Sequence, residues 1–339
     1  MPQVLLPWYW ADHRQLPWRQ DRDPYHVWLS EIMLQQTRVE AVKGYFNRFL
    51  NALPTVEALA NCDDDGLNKL WEGLGYYSRA RNLKKAAVII TEQYGGQFPQ
   101  EYEKIRALPG VGDYTAGAIC SICFGLPTPA VDGNVLRVIS RITDDSTPID
   151  SPAYKKLVHA ALAEVYPTDT GDFTQALMEL GATLCGPNRK PDCEHCPCRD
   201  FCLGHKRGTA ERLPVKLAKK ARRKEHLTVF ILSCNGNYAL EKRGDTGLLA
   251  GLWQFPNVSG ILDTQQAIDI VGDMGMNTRD IFLSLDKNHI FTHVVWNMRG
   301  YFLEVTEMAD RFMWLTAEKI EENIALPTAF RQFWEARQA

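Results

Sequence analysis

The 339-residue sequence predicts an all-α N-terminal domain, a basic linker and a smaller α/β domain. Three observations carry that prediction. From Tyr25 to about His205, apolar residues recur at spacings of three and four, with turn signals at Pro24, Pro54, Gly95-Gly96, Pro109-Gly110, Pro127, Pro152 and Pro167. After residue 226 the texture becomes that of strands. HLTVFIL, Asn235-Gly236 and YALEKR read as a tight hairpin, HIFTHVVWNM and GYFLEV as a second pair of strands, and residues 263–275 as a helix. The charge also divides unevenly: the net −3 is the sum of +2 over residues 1–225 and −5 over residues 226–339.

Length and ends bound the class. A chain of this size asks for more than one core and can bury what it needs without disulfides. The opening MPQVLLPWYWADHRQ lacks a basic n-region and is broken by Pro2, Pro7 and Asp12, so no secretory signal is expected. No stretch approaches the ~20 apolar residues of a membrane helix. A cytoplasmic protein is the expectation, and its nine cysteines are then expected as thiols.

Taken in chain order, the first notable group is Glu31 in SEIMLQQTRVE. On a continuous helix it shares a face with Gln35 and Arg38 and is flanked by Val27, Trp28, Leu34 and Val39. Such surroundings raise a carboxyl pKa and suit a general acid; a glutamate held by Gln35 or Arg38 is the structural alternative. GLGYYSRARNLKK, 73–85, interleaves Tyr76 and Tyr77 with Arg79, Arg81, Lys84 and Lys85. Stacking aromatics beside cations fit nucleic acid, and equally fit an amphipathic helix with half-buried rings.

LPGVGDYTAGAI, 108–119, joins two helices, and Gly110 and Gly112 let backbone amides converge at the start of the second. That arrangement makes a phosphate site or simply a connection. Asp132 in PAVDGNVLRVISR stands before a helix starting near Asn134, as an ordinary N-cap or as a carboxylate that the helix dipole keeps ionised. A protonated and a charged carboxyl together are the pair that glycosidic cleavage uses.

CGPNRKPDCEHCPCRDFC places Cys185, Cys193, Cys196, Cys198 and Cys202 within eighteen residues. Four thiolates at such spacing point to a metal, and spacing alone accepts either zinc or an iron–sulfur cluster. Cys62, Cys120, Cys123 and Cys234 read as core residues. Between Lys206 and Lys224 lie nine basic residues and one acid, Glu211, a phosphate-binding candidate or a solvated linker.

Together these motifs resemble the helix-hairpin-helix, Gly-Pro-Asp superfamily of DNA glycosylases, and within it the MutY-type adenine DNA glycosylases. The resemblance rests on LPWR (16–19), SEIMLQQTRVE, WEGLGYYSRARNL, LPGVGDYTAGAI, AVDGNVLRVISR, ALMELGATLC with the cysteines, TGLLAGLWQFP (246–256) and FTH (291–293). It implies a catalytic glycosylase domain over 1–205, built from a six-helix module at about 25–130 and a cluster module of 1–24 plus 131–205. A linker over 206–225 and a Nudix-like domain over 226–339 follow. It also implies base-excision repair of adenine mispaired with 8-oxoguanine or guanine in double-stranded DNA by a monomer, active at the bacterial nucleoid.

By that resemblance Glu31 protonates the adenine and activates water, Asp132 stabilises the sugar cation, and Arg19 and Asn134 contact the active site. Gln36 and Tyr76 wedge into the DNA, Gly110, Val111 and Gly112 hold a phosphate, and Phe291, Thr292 and His293 read 8-oxoguanine. Cys185, Cys193, Cys196 and Cys202 would carry one 4Fe-4S cluster. In the similar endonuclease III-type lyases, a lysine stands two residues after the second hairpin glycine. Tyr114 stands there instead, which implies a monofunctional enzyme whose adenine pocket Tyr114 helps to shape. The departures are a seven-residue first cysteine gap where six is usual, the extra Cys198, and Thr292 where serine is usual. Residues 260–275, GILDTQQAIDIVGDMG, lack the acidic helix of nucleotide-hydrolysing Nudix members, so binding is expected of that domain. The competing readings are a bifunctional lyase and a non-catalytic DNA-binding protein with a zinc knuckle.

Overall fold

A computed structural model of the chain describes residues 1–187, 189–218 and 221–337. Lys219 and Lys220 of the basic linker, and the last two residues of the C-terminal domain, lie outside the described residues. The chain forms two compact units: Met1–Asn61 with Asn82–Lys219, and Cys62–Arg81 with Lys220–Ala339. A short piece from the N-terminal part of the sequence thus belongs to the second unit.

The first unit is helical. Its elements are α1 (Pro2–Asp12), α2 (Pro24–Leu34), α3 (Val39–Ala52) and α4 (Val56–Asn61). After α5 (Asp64–Leu70) of the second unit comes α6 (Ser78–Tyr94), whose first four residues also belong there. Then follow α7 (Tyr102–Arg106), α8 (Asp113–Phe124), α9 (Gly133–Thr143), α10 (Pro152–Ala163), α11 (Thr170–Ala182) and α12 (Leu203–Lys206). Helix α1 was not expected, because two prolines interrupt its sequence. Pro2 falls in the first turn, where no amide is needed, but Pro7 lies inside and costs about 3 kcal/mol. Burying Leu5 and Leu6 against the core formed with α9 and α11 contributes roughly 1.5–3 kcal/mol each, so packing offsets the lost bond.

Helix α8 is the centre of this unit. Every residue from Thr115 to Ile122 is buried, and α2, α7 and α11 all pack on it. Gly117 is there because a Cβ would stand 2.4 Å from the carbonyl oxygen of Pro129. That close approach lays the segment leading to Asp132 along α8, one turn from Tyr114.

SEIMLQQTRVE is not one helix. Helix α2 stops at Leu34, Gln36 takes a positive φ of 59°, and Arg38 is the N-cap of α3. Gln35 and Arg38 therefore do not share a helical face with Glu31. A left-handed residue cannot continue a right-handed helix, and nothing in the apolar spacing announces it.

The second unit contains a mixed sheet. Its elements are β1 (Arg223–Cys234), β2 (Asn237–Lys242), β3 (Trp253–Gln254), β4 (Asn257–Ser259), α13 (Thr264–Asp273), β5 (Thr278–Ile290), β6 (Val294–Val305), β7 (Met313–Thr316), α14 (Ala317–Asn323) and α15 (Thr328–Ala336). The strand order is β3-β2-β1-β6-β5, with β4 on β1 and β7 on β2; β1 and β6 run parallel. Val229 and Ile231 of β1 face a core with Phe330, Phe333 and Trp334 of α15, while Phe230 and Leu232 face Ala267 and Val271 of α13. Helices on both faces explain why HLTVFIL is apolar without alternation.

The expected hairpin at Asn235-Gly236 is present, with φ of 48° and 76°. The second strand pair needs a correction. Its turn is Phe291–His293, inside HIFTHVVWNM, and β6 runs unbroken through Gly300, where a Cβ would lie 2.5 Å from the Phe333 ring. That glycine marks a close approach of α15 rather than a break between strands.

Candidate active site

Two carboxyls in the first unit lie within electrostatic reach of each other. Glu31, 6% exposed on α2, accepts a short hydrogen bond at Oε2 from the Tyr114 hydroxyl of α8. Burial raises its pKa from 4.5 to about 7; the Tyr114 bond opposes that rise, the negative charge of Asp132 adds to it, and Arg19 counters it. Tyr114, whose own hydroxyl is pushed well up by burial and by the two carboxyls, stays a donor and also faces Met178 Sδ at 3.7 Å. Glu31 is thus held by Tyr114, a partner eighty-three residues away, and not by the expected neighbours.

Asp132 caps α9. Its Oδ1 accepts from the Val135 amide at 2.7 Å and its Oδ2 from Asn134 Nδ2 at 2.6 Å. Burial raises its pKa, against the bonds from Val135 and Asn134 and the charge of Arg137. Both carboxyls are therefore shifted upward, by the same desolvation. They differ in their donors: Asp132 accepts from the Val135 amide and Asn134, and Glu31 accepts from Tyr114.

Arg19 sits in a short turn at Pro17–Arg19 and reaches Glu179 Oε2 at 2.9 Å. Glu179 on α11 is wholly buried and also takes Arg14 through Nε at 2.6 Å and Nη2 at 2.9 Å. Burial would raise its carboxyl, and the two arginines hold it low. Neither Arg14 nor Glu179 was singled out from the sequence. The signal was available, since Glu179 in ALMELGATLC is an acid in an apolar helix just as Glu31 is.

At the hairpin, Val111 is buried and donates its amide to Leu108, whereas Gly110 and Gly112 are exposed and Gly112 caps α8. Arg106 braces the turn through Nη1 to the Val111 carbonyl at 3.1 Å and through a short ion pair with Asp113. Exposed glycine backbone at the start of a helix is open to an anion.

The other end of α9 reaches the cysteines. Arg137 donates to the Cys185 carbonyl at 2.9 Å, to Gly181 O at 2.7 Å and to Asn134 Oδ1 at 2.8 Å; Arg141 donates to Cys185 Sγ at 3.2 Å and to Leu213 O at 3.0 Å. Cys185, Cys193, Cys196, Cys198 and Cys202 all line one pocket, walled by Val138, Ile142, Leu180 and Leu184. Burial and the neighbouring Cys196, Cys202 and Cys185 raise the Cys193 thiol. Among the described residues, no group of three or more His, Cys, Asp or Glu side chains is arranged to hold a single metal ion. Of the other cysteines, Cys120 and Cys234 are buried as expected, while Cys62 and Cys123 are half-buried.

Within the second unit, Tyr76 and the FTH turn meet. The Tyr76 hydroxyl lies 3.0 Å from Thr292 Oγ1, and Arg222 Nε donates to Thr292 O at 3.3 Å. Phe291 packs edge-on against Trp296 and His289, while Thr292 and His293 are exposed. The cationic platform expected from 73–85 is only partly one. Tyr77 and Arg79 are buried, and Arg79 donates to Leu74 O at 3.0 Å and Gly75 O at 3.1 Å. Arg81 donates to Ala250 O at 2.7 Å. Tyr76 remains outward, 46% exposed, and Gln36 of the first unit is exposed as well.

Comparison with known proteins bears on this geometry. Residues 29–165 match the model of the HhH-GPD superfamily of base excision DNA repair proteins, and residues 228–336 match a NUDIX domain. The chain is 30% identical over 341 residues to the adenine DNA glycosylase of Buchnera aphidicola (subsp. Acyrthosiphon pisum), covering 98% of this chain and 96% of that one. The chain belongs to the adenine DNA glycosylase family. It is also 38% identical over 308 residues to the adenine DNA glycosylase of Rattus norvegicus, covering 75% of this chain; it spans 60% of the length of that relative. A solved thermostable thymine-DNA glycosylase superposes with a TM-score of 0.53 at 30% identity, covering 60% of this chain and 94% of its own. The expected fold, a helical helix-hairpin-helix glycosylase part and a Nudix-like part, is the observed one. Among the described residues, no helix is long and apolar enough to cross a membrane.

Proposed function

We propose that this adenine DNA glycosylase family member hydrolyses the N-glycosidic bond of adenine in duplex DNA, acting on adenine opposite 8-oxoguanine or guanine, without a strong lyase step. The observation that carries the reading is the buried Glu31 carboxyl bonded to the Tyr114 hydroxyl, with the charge of Asp132 near enough to act on both. Adenine is a poor leaving group, and a proton on its ring lowers the cost of breaking the bond. A carboxyl held near pKa 7 can give that proton at neutral pH and take one back from water. Asp132, with its donors fixed before the reaction, places negative charge where the sugar becomes cationic. The base must first leave the stack, at a cost of about a few kcal/mol. Gln36 and Tyr76 suit that step as wedges, the exposed amides of Gly110 and Gly112 on either side of the buried Val111 suit a phosphate cradle, and Asn134 and Arg19 suit the setting of Asp132 and of the pocket charge.

The division of labour is part of the same proposal: a catalytic domain over 1–205, a basic linker over 206–225 and a Nudix-like domain over 226–339 that reads the partner base through Phe291, Thr292 and His293. Cys185, Cys193, Cys196 and Cys202 suit one 4Fe-4S cluster, since thiol donors ring an apolar pocket with Arg141 beside one sulfur. A cluster there would tie the 185–202 loop to α9. None of the chemistry on adenine is assigned to it.

Single-turnover release of adenine from duplexes carrying A·8-oxoguanine, A·G and A·T tests the reading. Release from the first at the highest rate is expected, with little covalent DNA adduct trapped by borohydride. Absence of release, or strong trapping abolished by mutating one lysine, would overturn it.

A further inference from the structure

We propose that Glu72 is a positioning residue that fastens the Tyr76 loop to the C-terminal part of the second unit, so that Tyr76 and Thr292 address the partner base as one rigid surface. The proposal rests on the readings given above of Tyr76 as a wedge into the DNA and of Thr292 as part of the turn that reads the partner base.

The loop needs fastening because its backbone is unusual. Gly73, Gly75 and Tyr76 have φ of 93°, 68° and 47°. A tyrosine with positive φ costs about 1–3 kcal/mol and persists only where its surroundings over-determine it. From inside the loop, Trp71 Nε1 donates to Gly75 O at 3.0 Å, and Arg79 donates to Leu74 O and Gly75 O. Those bonds shape the loop without tying it to anything else.

Glu72 supplies the tie. Its Oε1 accepts from Arg331 Nη2 at 2.7 Å, from Arg331 Nε at 3.2 Å and from the Leu326 amide at 3.1 Å. Its Oε2 accepts from Lys69 Nζ at 2.8 Å, which also reaches Ile324 O at 3.1 Å. Arg331 is oriented in turn by Glu321 at 3.1 Å, and Glu321 accepts from Trp334 Nε1 at 2.6 Å. One carboxylate, four residues before Tyr76, therefore gathers a guanidinium, an ammonium and a backbone amide from α5, α14–α15 and their connection. Charge-assisted bonds of this kind, at 18% side-chain exposure, are stronger and more directional than surface pairs. Other ties to the C-terminal part lie further out, among them Asp65 to Lys242 at 3.0 Å and to Trp253 Nε1 at 3.2 Å, and Arg81 to Ala250 O.

The test measures, in the full chain, the ratio of single-turnover adenine release from A·8-oxoguanine over A·G, together with amide hydrogen exchange of residues 72–77 without DNA. Glu72→Ala should lower the ratio about tenfold or more, as expected when a contact is misplaced by about an ångström, and should speed exchange in the loop. Arg331→Ala should do the same, with the double variant little worse, and Glu72→Gln, which keeps an acceptor oxygen, should recover part of both. Faster exchange with an unchanged ratio, or rates on both duplexes falling in proportion, overturns the proposal. Should Glu72→Ala fail to fold, Glu72→Gln and Arg331→Ala decide by the same two readouts. A wild-type chain that releases no adenine overturns the functional reading instead, and the exchange data then decide whether Glu72 holds the loop.

Discussion

The hydroxyl of Tyr114 donates to Oε2 of Glu31, and that bond works against the burial that raises the carboxyl pKa. Removing it leaves desolvation less opposed. Tyr114→Phe should therefore move the limb of the pH–rate profile set by Glu31 upward, by on the order of one pH unit. Single-turnover rates across pH 5–9 read the shift; a limb that does not move would separate that limb from Glu31.

Glu31→Gln keeps the shape of the side chain and removes its proton chemistry. Adenine release should fall by about 10²-fold or more, the usual scale for losing a general acid. Stability should respond in the opposite sense. A folded-state pKa raised from 4.5 to about 7 means that the carboxyl favours folding fully below pH 4.5, and that this contribution is lost as pH rises to about 7. The loss amounts to about 3 kcal/mol. Glu31→Gln should flatten the stability profile over that window, and denaturant unfolding at pH 5 and pH 8 measures it.

Asp132 has two separable tasks. As the N-cap of α9 its oxygen receives the Val135 amide, and Asn is as good a cap as Asp. As an anion it has no substitute. Asp132→Asn should lose less than about 1 kcal/mol of stability while adenine release falls by about 10²-fold or more. Comparable damage to both would reduce Asp132 to a structural cap.

The parts of this site differed in how well the sequence announced them, and the differences are physical. Asp132 before a helical run, and Asn235-Gly236 between strands, are local signals whose geometry follows from a few residues. Glu31 was visible as an acid in an apolar stretch, but its partner was not, because Tyr114 reaches it only through the packing of α2 on α8. The end of α2 was missed because a left-handed Gln36 leaves the apolar spacing untouched. Whether Arg79 serves nucleic acid or the interior stays open in the sequence, because a guanidinium looks alike there whether it faces water or backbone carbonyls. Glu72 shows in sequence only an ordinary i,i+3 lysine, Lys69, because Arg331 and the Leu326 amide, which tie it to the C-terminal part, lie more than 250 residues away.

Thr292 and Tyr76 share one hydroxyl contact at 3.0 Å, so their substitutions should not add. Thr292→Val and Tyr76→Phe should each lower the 8-oxoguanine preference, with a coupling of about 0.5–1.5 kcal/mol in a double-mutant cycle. Additive effects would mean that the two residues act independently on the DNA.

The cysteine loop offers a test that separates register from chemistry. Cys198 lines the same pocket as the four expected ligands and is 1% exposed, so position alone does not exclude it. A thiolate that binds iron cannot be replaced by a hydroxyl without loss, whereas a buried thiol that only packs tolerates serine at modest cost. Cys193→Ser or Cys196→Ser should lower the iron and acid-labile sulfide content and loosen the 185–202 loop to proteolysis, while Cys198→Ser should keep both near wild type. Loss of iron in Cys198→Ser with retention in Cys193→Ser would shift the ligand set. Zinc in place of iron and sulfide would replace the cluster with a single-ion site. The bonds of Arg137 and Arg141 to the Cys185 carbonyl at 2.9 Å make α9 the first element to feel such a loss. Removing the metal by chelation should therefore lower stability before it alters the pH dependence that Glu31 sets.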